Sequence, residues 1–208
     1  MFTIINQEKW NRRSAFEFFK NYDDPFFNIT GPVDITEGYR RCKSEGSSFF
    51  LNSLFYATKA ANEIDVFRYR LLGEQLVSYD TIHCGSTVLM PDNSFRYCYF
   101  DFLPDRVAFI REAQTVIDRE REKPGLDPRH DAQDLLHFSV IPWVSFTSFK
   151  HARRRVPGDS IPKIMFGKFY AQGERLLLPF SVEVNHAMMD GYHVGLYFER
   201  FREIFNAG

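Results

Sequence analysis

The most continuous apolar run in the chain is Leu176-Leu177-Leu178-Pro179-Phe180-Ser181-Val182-Glu183-Val184. Such a run, bounded by turn residues, predicts a strand buried in a sheet. Arg175 to Val184 pairs in this reading with Lys163 to Tyr170 around Gln172-Gly173, and Leu135 to Val144 predicts a further buried strand. Shorter strands are expected at Phe2 to Ile5, Ser86 to Met90 and Phe95 to Phe102, with a hairpin over Phe67 to Tyr79 turning at Gly73-Glu74. Helical spacing appears at Trp10 to Phe19, Ser47 to Ile64, Asp105 to Glu122 and Gly191 to Phe205, and Asp34 is placed to cap a helix running through Lys43. Strands and helices mix without strict alternation. This predicts an α/β fold with a mixed β-sheet covered by helices, not a doubly wound one. No repeat or long linker divides residues 1–208, so a single domain is expected.

Composition changes that picture in three places. The 23 phenylalanines are an unusual number, and point to a large core, an apolar pocket, a buried subunit interface, or several of these. A net charge of −1 does not favour a nucleic-acid partner. Cys42, Cys84 and Cys98 are too few and too irregular for a disulfide framework or a zinc site, so a reducing cytoplasm and no metal are expected. The first residues lack a basic head followed by an apolar stretch, and no apolar run reaches membrane-spanning length.

Candidate chemistry concentrates just past the apolar run, in Asn185-His186-Ala187-Met188-Met189-Asp190-Gly191-Tyr192-His193. His186 stands where a strand ends, a rigid place for a base, and Gly191 allows a turn into the last helix. Neutral imidazole has a suitable pKa to take a proton from a hydroxyl. From the residues alone, His186 reads more readily as a hydrogen-bonded turn histidine. Asp190, four residues on, invites a triad in which its carboxylate orients the imidazole. Ser145 and Ser148 in Pro142-Trp143-Val144-Ser145-Phe146-Thr147-Ser148-Phe149 are rival hydroxyls for an oxyanion. His193 reads as a capping or packed histidine and Tyr192 as packing.

Further segments accompany the His-x-x-x-Asp-Gly motif in a fixed order: Trp10-Asn11-Arg12-Arg13-Ser14-Ala15-Phe16-Glu17-Phe18, then Pro142 to Phe149, then Gly167-Lys168-Phe169-Tyr170 and Gln172-Gly173-Glu174-Arg175-Leu176. Together they resemble the chloramphenicol acetyltransferase family over nearly the whole chain, and more distantly the catalytic core of dihydrolipoamide acyltransferases. The resemblance implies a two-layer sandwich assembled as a homotrimer, with active sites between subunits. It implies acetyl-CoA as donor and a small alcohol, chloramphenicol or similar, as acceptor. It makes His186 the general base, with its tautomer fixed by its own backbone carbonyl, and Ser148 the oxyanion stabiliser. Asp190 becomes a structural ion pair with Arg12 and not a triad member.

The same resemblance places Phe18 and Phe19 at the acceptor pocket. Lys168, with Phe169, is a candidate for the cofactor side, and the run His151-Ala152-Arg153-Arg154-Arg155 is another for the CoA phosphates. The chain departs from the family where Asn185 replaces a first histidine, Met165 replaces a threonine, Phe19 replaces a frequent tyrosine, and the segment after Phe149 is unusually basic. Two other readings stay open: the same O-acetyl transfer to a different small alcohol, or a catalytically silent trimer that binds a ligand.

Overall fold

The computed structural model describes residues 1–129, 131–153 and 158–208. Its centre is a mixed sheet in the order β2 (Phe26–Asp34), β10 (Arg175–Asn185), β8 (Lys163–Phe166), β7 (Leu135–Val140), β5 (His83–Leu89), β6 (Phe95–Phe100), with β9 (Tyr170–Gln172) pairing onto β10. β5, β7 and β8 run parallel, and the remaining pairs are antiparallel. Gly173, at a φ of 61°, makes the β9–β10 turn, a left-handed conformation that glycine adopts without a Cβ clash. β1 (Phe2–Ile4), β3 (Tyr69–Leu72) and β4 (Gln75–Tyr79) form a second, three-stranded sheet. Helices α1 (Arg13–Phe19), α2 (Thr36–Ser44), α3 (Phe49–Asn62), α4 (Arg106–Arg121) and α5 (Gly191–Ala207) complete the chain, and α2 to α5 pack against the large sheet or one another.

Alternation along β10 sorts its side chains between the two faces of the sheet. Phe180, Val182 and Val184 point to the helices and are fully buried, with Phe180 stacked on Phe201 and beside Tyr197 of α5. Ser181, Glu183 and Asn185 therefore take the opposite face, together with their register partners Thr30, Asn28 and Phe26 on β2 and Met165 and Lys163 on β8. This second face is polar but not open. Arg153 lies across it, bonded to Glu183, bonded to Asp159 at 2.7 Å, and 3.2 Å above the ring centre of Phe26.

The elements correct the sequence reading in a few places. β2 is an addition to the elements expected from sequence, and it contains Gly31 and Pro32. Proline is tolerated there because β2 is an edge strand and needs no amide on its free side. β7 stops at Val140, short of the expected Val144, and Trp143 and Val144 are exposed. The hairpin belongs to the small sheet, which Arg70 ties to β7. That side chain is fully buried and donates to the carbonyls of Phe67, Tyr69, Gln133 and Leu135. Burial pulls its pKa down to about 9, so it remains a cation at neutral pH.

Gly38 marks the closest approach of α2 to α5. A Cβ there would stand 2.3 Å from the Phe205 ring and 2.4 Å from its carbonyl oxygen. Gly38→Ala is expected to lower stability by about 1–3 kcal/mol, the usual cost of overpacking. Thermal unfolding checks it; an unchanged midpoint would mean that α2 is free to move.

Candidate active site

β10 delivers His186 to the end of the sheet, and a tight turn follows. The backbone carbonyl of Asn185 accepts from the amides of Met188 and Met189, both at 3.1 Å. The turn brings the Met189 carbonyl to 3.0 Å from His186 Nδ1. A carbonyl can only accept, so in neutral His186 the proton sits on Nδ1 and the lone pair on Nε2. The Met189 carbonyl, three residues on, is thus an acceptor for this proton. Nε2 makes no hydrogen bond among the described residues. The ring is held on its faces: Phe19 of α1 stacks on it at 4.0 Å with an 11° interplanar angle, and Phe27 of β2 lies 4.7 Å away, tilted by 48°. The His186 amide donates to the Pro25 carbonyl at 2.7 Å, which fastens the turn to the start of β2.

Asp190 does not touch His186. Its carboxylate pairs with Arg12, whose Nε also donates to the Met188 carbonyl at 2.9 Å. The other carboxylate oxygen accepts the Tyr192 amide at 3.0 Å and faces His193 Nδ1 at 2.8 Å, completing a capping box at the start of α5. The triad reading is therefore excluded, and the ion pair with a capping His193 is what the chain forms. Burial opposes ionisation of Asp190. The hydrogen bond and charge of Arg12, with His193 beside it, nevertheless hold the carboxyl below its ordinary value. The folded pKa is depressed, so this pairing contributes in full above the unfolded carboxylate's value of about 3.9 and is lost as pH falls through the lower folded value. Tyr192, expected to pack, is 70% exposed on a single chain.

Asp190→Asn is expected to cost stability as well as activity. Its side chain is 36% exposed, so the loss falls between that of surface and fully buried pairs, at about 1–3 kcal/mol. An unchanged melting temperature would sink the structural role.

The two rival serines separate cleanly. Ser145 Oγ donates to the Lys168 carbonyl at 2.6 Å, while the Lys168 amide donates to the Val144 carbonyl at 2.9 Å. Ser145 thus serves a loop clamp. Ser148 is exposed and its hydroxyl has no hydrogen-bond partner among the described residues. Ser145, Phe146 and Thr147 line a cavity of about 320 Å³ with Thr30, Gly31, Pro32, Tyr170 and Pro179. Gly167 lets this loop sit close, since a Cβ there would meet the Phe146 ring at 2.9 Å and Pro179 at 2.8 Å.

Within one chain, the structure does not bring Ser148 and His186 together by any hydrogen bond. Ser145 to Thr147, before Ser148, line a cavity with Pro179 of β10, and Arg153, after it, reaches Glu183 and Phe26 near the end of β10 that leads to His186.

Phe18 is 62% exposed and sits edge-on to Phe19 at 4.9 Å. Lys168 is exposed, while the Phe169 ring packs on Tyr39 of α2 and Phe49 of α3. In the basic run, Arg154 and Arg155 lie outside the described residues. His151 and Arg153 are drawn inward, and burial together with nearby Lys163 and Arg153 pushes the His151 pKa down to about 4. No cysteine supplies a nucleophile: all three are free but buried, and burial pushes the Cys84 thiol up to about 12. The Arg153–Glu183–Asp159 network was missed from sequence, although Glu183 inside an apolar run was its signal. It is 4% exposed, and a carboxylate that deep requires a partner.

A histidine with a fixed Nδ1–H, a free Nε2 and an arginine-braced Asp-Gly turn is a preformed base at a strand end. Residues 1–202 match the sequence pattern of the chloramphenicol acetyltransferase family, and the chain belongs to that family. It is 27% identical to chloramphenicol acetyltransferase 3 of Escherichia coli over 99% of this chain and 98% of that one. It is 28% identical to a chloramphenicol acetyltransferase of Clostridium perfringens over 98% of this chain and 94% of the relative. A solved chloramphenicol acetyltransferase superimposes with a TM-score of 0.89 at 30% identity, covering 99% of this chain and all of that one. The Azotobacter vinelandii dihydrolipoamide acetyltransferase shares the fold, with a TM-score of 0.67 at 18% identity. The chain is accordingly an acetyltransferase that uses acetyl-CoA as donor.

Proposed function

We propose that the protein is a homotrimeric, cytoplasmic O-acetyltransferase that acetylates chloramphenicol or a similar small alcohol directly from acetyl-CoA. The observation that carries this is the His186 Nδ1 contact with the Met189 carbonyl, which leaves Nε2 as an acceptor for a substrate hydroxyl. As the alcohol oxygen attacks the thioester carbonyl, its proton passes to Nε2. The carbonyl oxygen becomes an oxyanion, and the Ser148 hydroxyl donates to it. Collapse of the tetrahedral intermediate forms the ester and breaks the carbon–sulfur bond. The departing thiolate recovers the proton from the imidazolium, so free CoA leaves and His186 is neutral again. No acyl-enzyme is required.

The family pattern supports a site shared between subunits, with the base of one facing the serine of the next. Phe18 and Phe19 suit an aryl acceptor, and Lys168 with Phe169 borders the cofactor side. The second reading keeps the reaction and changes the alcohol. It is favoured by Met165, 2% exposed where the family pattern has a hydroxyl, and by the ion pairs of Arg153 in the segment next to the acceptor pocket. A silent ligand-binding trimer is disfavoured by the intact set of His186, Ser148, Arg12 and Asp190.

Thiol release from acetyl-CoA, followed with and without chloramphenicol, tests the proposal. Release that depends on chloramphenicol supports the first reading. Release with other alcohols only supports the second, and none with any alcohol would overturn both.

A further inference from the structure

We infer that Asn185 is a positioning residue that sets the tautomer of the catalytic histidine. This rests on His186 being the base. Asn185 is 3% exposed, and both its side-chain oxygen and its main-chain oxygen accept from the turn that follows it. Its side-chain oxygen accepts the buried Ala187 amide at 2.9 Å, an Asx turn that closes the backbone around His186. Its main-chain oxygen accepts from both Met188 and Met189 at 3.1 Å. Those three bonds fix where the Met189 peptide lies, and the Met189 carbonyl is the group that meets His186 Nδ1 at 3.0 Å.

The remaining group, Nδ2, reaches across the polar face of the sheet and donates to the Asp159 carbonyl at 3.1 Å. Asp159 holds Arg153 through its carboxylate, and Arg153 returns to Glu183, two residues before Asn185, and to Phe26, its register partner. Asn185 therefore joins the catalytic turn to the segment that borders the acceptor pocket. A side chain without an acceptor at this position leaves the Ala187 amide buried and unpaired. The turn then relaxes, the Met189 carbonyl shifts, and the proton is free to sit on either ring nitrogen. The Nε2–H form cannot accept a proton from the alcohol, so turnover falls with the population of the correct tautomer.

The test compares Asn185→Ala with Asn185→Ser in protein labelled with ¹⁵N at histidine. Ring-nitrogen shifts report the His186 tautomer whether or not the enzyme turns over, and His186→Ala assigns the signals. A serine hydroxyl can form the same turn, more weakly and without burying a charge. Asn185→Ala is expected to show mixed His186 tautomers, kcat lowered by roughly 10²-fold as for a small misplacement of a reacting group, and an unchanged KM for acetyl-CoA. Asn185→Ser is expected to keep the single Nδ1–H form and most of the turnover. A folded Asn185→Ala with the wild-type tautomer overturns the inference. If Asn185→Ala does not fold, mixed tautomers in Asn185→Ser overturn it. Wild-type protein that transfers no acetyl group under any condition refutes the base, not the turn, and the spectra still decide the latter.

Discussion

His186→Ala is expected to lower acetyl transfer by about 10²–10⁴-fold or more, the usual contribution of a positioned general base, while the chain still folds and still binds acetyl-CoA. An aliphatic hydroxyl does not ionise near neutral pH, so without an acceptor for its proton the attack stalls. The fold should survive because the ring is a surface inlay. It is partly exposed between Phe19 and Phe27, and the turn is closed by Asn185, Arg12 and main-chain bonds that the substitution leaves in place. Steady-state turnover and far-UV circular dichroism check the two halves. A variant that keeps most of its turnover would remove His186 from the mechanism.

Elements with a continuous pattern were the ones legible in sequence. β10 was visible as an apolar run because both of its faces are covered, and α5 because Val194, Tyr197, Phe201, Ile204 and Phe205 repeat at helical spacing on its buried side. β2 was not, since an edge strand may carry Pro32 and Gly31, which elsewhere end strands. At the site, His186, Ser148, Arg12 and Asp190 were found through the family resemblance. The residues alone offered Ser145 and Ser148 on equal terms, and left the histidine–aspartate spacing open to a triad. What sequence could not supply was the third dimension of the turn. Whether His186 meets its own carbonyl or that of Met189 depends on a few backbone angles. The inward course of Arg153 depends on the buried carboxylate of Glu183, which is distant in sequence on β10.

Ser148→Ala is expected to lower turnover by roughly 2.7–4 kcal/mol of transition-state stabilisation, about 10²–10³-fold, with little change in acetyl-CoA affinity. A hydroxyl that bonds only the oxyanion contributes when charge has formed, not when substrate binds. Ser145→Ala is the control. Its hydroxyl is committed to the Lys168 carbonyl, so its loss should loosen the loop and leave the chemical step nearly unchanged. A kinetic defect in Ser145→Ala and none in Ser148→Ala would reverse the assignment. The same variant tests the assembly. If each site takes its histidine from one subunit and its serine from the next, co-refolding inactive His186→Ala with inactive Ser148→Ala chains creates complete sites. In a closed trimer built at random from equal amounts, about one site in four receives both native residues. Activity near a quarter of wild type is therefore expected from the mixture, and only the residual rates from either variant alone. A fully active monomer in sedimentation, or a mixture no faster than its components, would place both groups in one chain.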